Sequence, residues 1–289
     1  MTPHSPSATL VLLPTYNEID NLARVMDRIR SAVPDADVLV LDDDSPDGTG
    51  KLADELAAED AAIKVLHRTS KDGLGAAYLA GFEWGLEHGY EFLVEIDADG
   101  SHPPEVLPSM LAQAADGADL VIGSRYVPGG AVVNWPVHRQ LLSRLGNQYV
   151  RLLLGMPVRD ATAGYRVYRA DALRTLGLDT VQSQGYCFQT DLTWRAARAE
   201  LQIRELPITF TEREYGDSKM SGDVVRESMR SITGWGSNTG WRSCAPSRAA
   251  DHTAARTKKP RCAVEAHRGF PVQMGSGAAL SRFLAARGA

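Results

Sequence analysis

Short apolar runs alternate with segments of helical periodicity through the first half of the chain, and this alternation restricts the fold more than any other feature. The runs are TLVLL at 9–13, DVLVL at 37–41, IKVLH at 63–67, EFLVEI at 91–96 and DLVIG at 119–123. Each is typical of a strand buried on both faces, and helices between such strands imply crossovers between parallel neighbours. We therefore predict an α/β fold with a mostly parallel sheet flanked by helices.

The segments between the runs carry helical signals. Four apolar residues recur at the spacing of one helix face: Leu22, Val25, Met26 and Ile29. Asn17 is predicted to cap that helix. Further helices are expected near 48–60, 73–89, 136–155 and 188–200, and a strand at 203–210. Because sustained periodicity stops near Trp235, we predict a flexible N-terminus over 1–8, one domain over 9–235 and a basic low-order tail over 236–289.

Composition and charge narrow the function classes. From Gly240 onward the chain carries a net charge of +7, whereas residues 1–239 carry −12, so a basic tail follows an acidic body. Aromatic residues make up 7%, which argues against a stacking platform for single-stranded nucleic acid, and no nucleic-acid partner is expected. The sequence shows no secretory signal and no apolar run of the roughly 20 residues that span a bilayer. We therefore expect a soluble or peripheral protein on the cytoplasmic side of the membrane.

Polar clusters follow four of the predicted strands, at 14–18, 42–47, 97–101 and 123–126. In open α/β sheets ligands bind beyond the carboxyl ends of the strands, so these clusters predict the edge that carries the site. The first cluster, PTYNE, contains no G-x-G-x-x-G, which excludes a dinucleotide-binding dehydrogenase.

The segment IDADGSH at 96–102 places Asp97 and Asp99 two residues apart directly after a strand. Two such carboxylates suit one Mg²⁺ or Mn²⁺ ion, which also bridges a diphosphate, and Ser101 is a further candidate oxygen ligand. An acid-rich solvated turn is the alternative interpretation. In LDDDSPDGT at 41–49, Asp43 is a candidate hydrogen-bond acceptor for a base or ribose. The same residues are also typical of a turn followed by a helix N-cap. Tyr16 is a candidate for stacking on a base and Glu18 for accepting from it.

Eight motifs in order resemble the dolichyl- and polyprenyl-phosphate mannose synthases, an inverting branch of the GT-A glycosyltransferases. They are LLPTYNE, LDDDSPDGT, DGLGAAYLAGF, IDADGSHPPE, GSRYVPGG, DATAGYRVYR, YCFQTDLTWRA and EREYGDSKMS. The resemblance spans about residues 9–235, and the GSRY and EREYGDSKMS elements are its most specific parts. It implies transfer of mannose from GDP-mannose to a polyprenyl monophosphate, with a divalent metal and inversion at the anomeric carbon.

The resemblance also assigns residues. For the guanosine part of the donor it implies Pro14, Tyr16, Glu18, Leu41 and Asp43. For the metal and diphosphate it implies Asp97, Ala98, Asp99 and Ser101, although some relatives have Gln at the last position. For the donor phosphates it implies Arg125, Arg213 and Lys219, and for the acceptor phosphate Arg139 and Ser143. The residues expected to be catalytic are Asp99, Arg125, Arg139 and Arg213.

The chemistry agrees with these roles, because a diphosphate, an acceptor phosphate and two aspartates repel one another unless cations offset their charge. A phosphate monoester is already largely ionised at neutral pH, so no essential general base is expected, and Asp191 is interpreted as a sugar-binding or loop-ordering acid. The basic, partly apolar helix at 136–155 is the candidate contact with the lipid surface, with packing on the sheet as the alternative.

Three other functions remain open from sequence: a UDP-glucose-dependent polyprenyl-phosphate transferase, a polysaccharide-building transferase, and a module that binds a GDP-sugar without turnover. The first usually carries membrane helices and the second a Gln-x-x-Arg-Trp element, neither of which this sequence shows.

Overall fold

The computed structural model describes residues 8–181, 183, 186–213 and 232–234. Its strands are β1 Thr9–Thr15, β2 Asp37–Asp42, β3 Ile63–His67, β4 Phe92–Glu95, β5 Leu120–Ser124, β6 Ala131–Val133, β7 Arg166–Arg169, β8 Ile203–Pro207 and β9 Thr209–Thr211. Its α-helices are α1 Leu22–Ala32, α2 Thr49–Glu59, α3 Leu74–Glu87, α4 Leu107–Ala115, α5 Val137–Leu154, α6 Ala170–Thr175 and α7 Tyr186–Arg198. Short 3₁₀ turns lie at Pro104–Val106 and Leu178–Thr180.

Seven strands form one sheet in the order β3-β2-β1-β4-β7-β5-β8. All neighbours are parallel except β7, which runs antiparallel to both β4 and β5. The strands β6 and β9 form a separate parallel pair. The predicted α/β fold with a mostly parallel sheet is therefore confirmed, and the carboxyl ends of β1, β2, β4 and β5 share one edge.

Two apolar clusters cover the two faces of the large sheet. One contains Leu12, Leu41 and Phe82 and receives α3 and α7, whereas the other contains Val11 and Val40 and receives α1 and α4. The four apolar residues predicted to form one face of α1 are all buried. In α3 a Cβ at Gly81 would lie 2.9 Å from Leu41 Cδ1, so a larger residue there would require the helix or the leucine side chains of β1 and β2 to shift.

Two local predictions were wrong. Asn17 does not cap α1: it lies in the left-handed region at φ 58°, and the residue preceding the helix is Asn21. The predicted strand at 203–210 is two strands, because β8 pairs with β5 in the large sheet while β9 leaves it to pair with β6. This change of partner brings the chain after β9 back to the carboxyl edge.

By internal packing the chain divides into Met1–Cys244 and Ala245–Ala289. Every described residue belongs to the first unit, and the predicted tail over 236–289 lies outside the described residues. Among the described residues no helix has both the length and the hydropathy needed to cross a bilayer.

Candidate active site

The acidic pair lies on the loop that leaves β4. Asp99 is 6% exposed, and its Oδ1 accepts from the backbone N–H of Ser101 at 3.0 Å, across a turn at Gly100 whose φ is +76°. Its Oδ2 pairs with Nη2 of Arg213 at 3.0 Å. Asp97 is more open, with 32% of its side chain exposed, and contacts Tyr78 and His102. The loop thus presents one shielded and one accessible carboxylate.

The surroundings of Asp97 disfavour its ionised form, although part of its side chain is exposed. Burial, and next the charge of Asp99, raise the pKa of Asp97 to about 7, while Arg213 acts in the opposite direction. Burial lowers the pKa of His102 to about 4, so this imidazole is neutral and contributes no balancing charge. The pair is therefore short of positive charge at neutral pH.

The residues present fit a divalent cation. Among the described residues the buried hydroxyl of Ser101 has no hydrogen-bond partner, which leaves an unsatisfied oxygen on the residue whose backbone N–H binds Asp99. Within the described part of the chain, no group of three His, Cys, Asp or Glu side chains converges as a complete metal site. Two carboxylates and a hydroxyl would hold such a cation, and a ligand diphosphate or water would complete its coordination.

At the β1 and β2 end of the carboxyl edge, the two acids predicted to contact the donor base or ribose each have a protein partner. Asp43 at the end of β2 pairs with Arg68 after β3, and burial raises the pKa of Asp43. Glu18 accepts from Nδ2 of Asn21 at 2.8 Å. Lys71 lies 3.6 Å from the centroid of the Tyr16 ring. Sequence reasoning missed Arg68 and Lys71, although both follow β3 at the same edge.

Three of the residues predicted to bind the sugar-nucleotide donor differ in how far their side chains are exposed. Pro14 is half-buried at the end of β1, opposite Leu41 in the β1–β2 ladder. The side chains of Leu41 and Ala98 are buried within the two apolar clusters. The structure therefore does not bring those two side chains to the site surface.

Arg125 has its bidentate edge closed by an internal carboxylate. Its Nε and Nη2 donate to the two oxygens of Asp160 at 2.7 and 2.6 Å, and its backbone N–H donates to the same group at 2.9 Å. Arg125 is 8% exposed and Asp160 fully buried, with Trp135 and Phe210 around the guanidinium. Sequence reasoning predicted a phosphate contact here and missed Asp160, which stands in the DATAGYR motif.

Arg139 at the start of α5 is oriented by two residues that sequence reasoning also missed. Its Nη1 donates to Oε1 of Glu212 at 2.7 Å, and its guanidinium lies 4.1 Å from the centroid of the Trp135 ring. The predicted neighbour Ser143 lies one turn further along the helix and accepts from the hydroxyl of Tyr126 at 2.6 Å.

The segment after β9 connects these groups. The backbone N–H of Thr211 donates to the carbonyl of Ser101 at 3.1 Å, and that of Glu212 to the carbonyl of Val133 at 3.2 Å. The next side chain, Arg213, reaches Asp99. Three consecutive residues therefore join the loop after β4, β6 and α5. Lys219 lies outside the described residues.

Two buried groups fix the loops behind the site. Arg166 is fully buried and donates to the carbonyls of Ala161, Ala163 and Gln189. Asp191 accepts from Ser183 at 2.9 Å and from Arg195 at 2.8 Å, so both of its oxygens hold structure. This geometry favours the loop-ordering interpretation of Asp191 over the sugar-binding one.

A mostly parallel nucleotide-binding sheet with an acidic pair and arginines at its carboxyl edge defines the GT-A class of glycosyltransferases. Glucosyl-3-phosphoglycerate synthase from Mycobacterium tuberculosis, in complex with Mn²⁺, UDP and glucosyl-3-phosphoglycerate, superposes with a TM-score of 0.57 at 21% identity, covering 78% of this chain and 80% of that one. At this identity the likeness shows the fold alone. Residues 10–177 match the profile of glycosyl transferase family 2. The chain belongs to this family and is a glycosyltransferase.

Three relatives are similar over most of the chain. The undecaprenyl-phosphate mannosyltransferase of Micrococcus luteus is 58% identical over 80% of this chain and 95% of its own length. The polyprenol monophosphomannose synthase of Mycolicibacterium smegmatis is 58% identical over 79% of this chain and 86% of its own. The dolichol-phosphate mannosyltransferase of Pyrococcus furiosus is 34% identical over 77% of this chain and 62% of its own. The resemblance inferred from the motifs is thus confirmed.

Proposed function

We propose that this protein transfers mannose from GDP-mannose to a polyprenyl monophosphate, with inversion at the anomeric carbon, at the cytoplasmic face of a membrane. The names of the relatives at 58% identity support mannosyl transfer to a lipid phosphate. The observation that carries the proposal is the segment after β9, where Glu212 and Arg213 link an arginine of α5 to the acidic pair. One short segment thereby connects a diphosphate-and-cation end with an acceptor end.

At the donor end, Asp97, Asp99 and Ser101 are proposed to hold Mg²⁺ or Mn²⁺. When bound, such a cation neutralises the charge that grows on the departing nucleoside diphosphate. Arg213, 3.0 Å from Asp99, is placed to share that work, because a guanidinium donates two parallel hydrogen bonds to phosphate oxygens. Tyr16, Glu18 and Asp43 are proposed to contact the guanosine through side chains, and Pro14, Leu41 and Ala98 through backbone and shape.

At the acceptor end, Arg139 and Ser143 are proposed to hold the lipid phosphate so that one oxygen faces the anomeric carbon. A phosphate monoester has its second pKa near 6, so at neutral pH this nucleophile needs no proton removed. The engagement of both Asp191 oxygens by Ser183 and Arg195 fits a reaction without a general base. Attack opposite the leaving diphosphate inverts the anomeric centre, and alignment with electrostatics supplies the rate enhancement.

The outer face of α5 supports a lipid surface as partner. Four large apolar side chains, spaced four, four and seven residues apart, lie 57% to 81% exposed on one stripe: Val137, Leu141, Leu145 and Leu152. The helix carries three arginines and no acidic residue. The half-buried and buried positions Arg139, Ser143, Asn147 and Val150 lie on the opposite face, toward the domain. An apolar stripe beside basic residues suits an anionic membrane surface.

The test is an assay of the purified protein with a short-chain polyprenyl phosphate, Mg²⁺ or Mn²⁺, and either GDP-mannose or UDP-glucose. Transfer from GDP-mannose, with a β-linked product identified by NMR, is expected. Asp99→Ala should abolish turnover, whereas the buried-thiol change Cys187→Ser should leave it nearly unchanged. Transfer only from UDP-glucose, or nucleotide-sugar binding without any transfer, would refute the proposal.

A further inference from the structure

Arg139 and Arg125 are both predicted phosphate ligands, yet the protein treats their guanidinium groups differently. In Arg125 the Nε–Nη2 edge, which is the edge that binds an oxyanion in two parallel bonds, is occupied by Asp160. In Arg139 the internal carboxylate of Glu212 binds Nη1 instead. Internal anions therefore close the bidentate edge of one arginine and leave that of the other open.

One nitrogen of the open edge of Arg139 is a buried donor without a partner. Its Nε is inaccessible to solvent and has no hydrogen-bond partner among the described residues. Nε1 of Trp135, on the ring 4.1 Å from the same guanidinium, is a second buried donor without a partner. Buried donors are almost always paired in folded proteins, so two such groups side by side indicate a missing acceptor. An anion with several oxygens suits both donors.

Two contacts fix the plane of this guanidinium. The face of Arg139 lies on the Trp135 ring, and the Glu212 carboxylate holds the far nitrogen in the plane. Trp135 is itself 8% exposed and packs against Phe210. The backbone N–H of Glu212 is hydrogen-bonded to β6, so the positions of both residues are restrained. A long side chain that ordinarily loses rotamer freedom on binding is thus preorganised.

We propose that Trp135 and Glu212 are positioning residues that hold Arg139 with its Nε–Nη2 edge open as a bidentate seat for the acceptor phosphate, to which the Trp135 N–H adds a third donor. This inference rests on the proposed function for the identity of the phosphate. It also gives the two arginines different roles. Arg139 binds the substrate anion, whereas Arg125 holds the loop between α5 and β7 through its ion pair with Asp160.

The experiment measures the dissociation constant of a short-chain polyprenyl phosphate by titration calorimetry, without donor, and then the two KM values in turnover. Glu212→Gln and Trp135→Leu should each weaken binding of the lipid phosphate about tenfold, because a misaligned charge-assisted bond loses most of its strength. The KM of the donor should change less than twofold. Glu105→Gln, which removes an exposed partner of Arg28, is the matched control and should change neither.

A second measurement separates positioning from general damage. In Arg139→Ala, added methylguanidinium should restore part of the turnover, because the Trp135 face and the Glu212 carboxylate still form a binding place for it. The same compound should restore far less in Arg139→Ala combined with Glu212→Gln.

Unchanged binding of the lipid phosphate in both single variants, or equal restoration with and without Glu212, overturns the inference. Absence of mannosyl transfer by the wild-type protein refutes the proposed function instead, and the calorimetric comparison still decides the role of Trp135 and Glu212.

Discussion

Removing the carboxylate beneath Arg125 is the most direct test of how the site is supported. Asp160 is fully buried and accepts three hydrogen bonds from Arg125, at 2.6 to 2.9 Å. In Asp160→Leu the guanidinium of Arg125 stays buried and loses its carboxylate, although its bond to the hydroxyl of Thr162 remains. An isolated buried charge is far more costly than the paired state from which it came.

The expected loss follows from that burial. Breaking a buried ion pair by removing one partner costs about 3–5 kcal/mol of unfolding free energy. For a domain of roughly this size, that loss lowers the melting temperature by about 6–20 °C. Arg125→Met combined with Asp160→Leu replaces both charges by apolar groups, which is often neutral, so most of the loss should be recovered.

Urea and thermal unfolding of the wild type, the two single variants and the double variant give the coupling energy directly. A coupling energy of about 3 kcal/mol or more is expected. A loss of less than about 1 kcal/mol in Asp160→Leu, or additive losses in the double variant, would show that the pair does not support the fold and that Arg125 is held by other contacts.

Three further predictions concern other parts of the site. The pKa of Asp97 in the cation-free protein is about 7, and a cation binds the ionised carboxylate. The dissociation constant for Mn²⁺, measured by calorimetry at several pH values, should therefore rise below pH 7 by up to tenfold per pH unit from this group. A constant that does not change between pH 5 and 7 would contradict this. Leu141→Asp should weaken co-sedimentation with anionic vesicles about tenfold or more, while turnover of a short-chain acceptor in detergent stays unchanged. The control Ala58→Asp, on the exposed side of α2, should change neither vesicle binding nor turnover. Asp191→Asn should lower kcat by less than tenfold, since loss of a general base typically costs a factor of 10² to 10⁴. A loss of that size with the fold intact would instead indicate that Asp191 acts as a general base.

The sheet was predictable because its signal is local. Runs such as TLVLL are apolar on both faces, and β1 and β2 form within two residues of the predicted limits. The strand β7 was not predicted, since its sequence RVYR reads as polar and has four residues. Arg166 is nevertheless fully buried there, because carbonyl groups from a loop and from α7 satisfy its guanidinium. Such compensation depends on tertiary distances that no local pattern encodes.

The same limit applies to the site. Strand ends placed Asp43, Asp97 and Asp99 at one edge, because parallel strands align their carboxyl ends. The partners of the arginines were not predictable, since Asp160 lies 35 residues from Arg125 and Glu212 lies 73 residues from Arg139. An arginine near a phosphate site looks the same in sequence whether an internal carboxylate already occupies its bidentate edge or not.

Pairing of charges also bears on the order in which ligands bind. Asp160 balances Arg125 and Glu212 balances Arg139, so the cationic side chains of the described site are largely neutralised before any ligand arrives. Arg213 balances one of the two acids of the loop after β4, which leaves that loop with a net charge of −1 when Asp97 is ionised. Without a cation this loop would repel a nucleoside diphosphate, whereas a bound divalent cation would reverse the sign of its charge. A cation held at Asp99 would compete with Arg213 for that carboxylate and would leave the Arg213 guanidinium available to the diphosphate. We therefore expect donor affinity to depend on the cation more steeply than simple bridging requires.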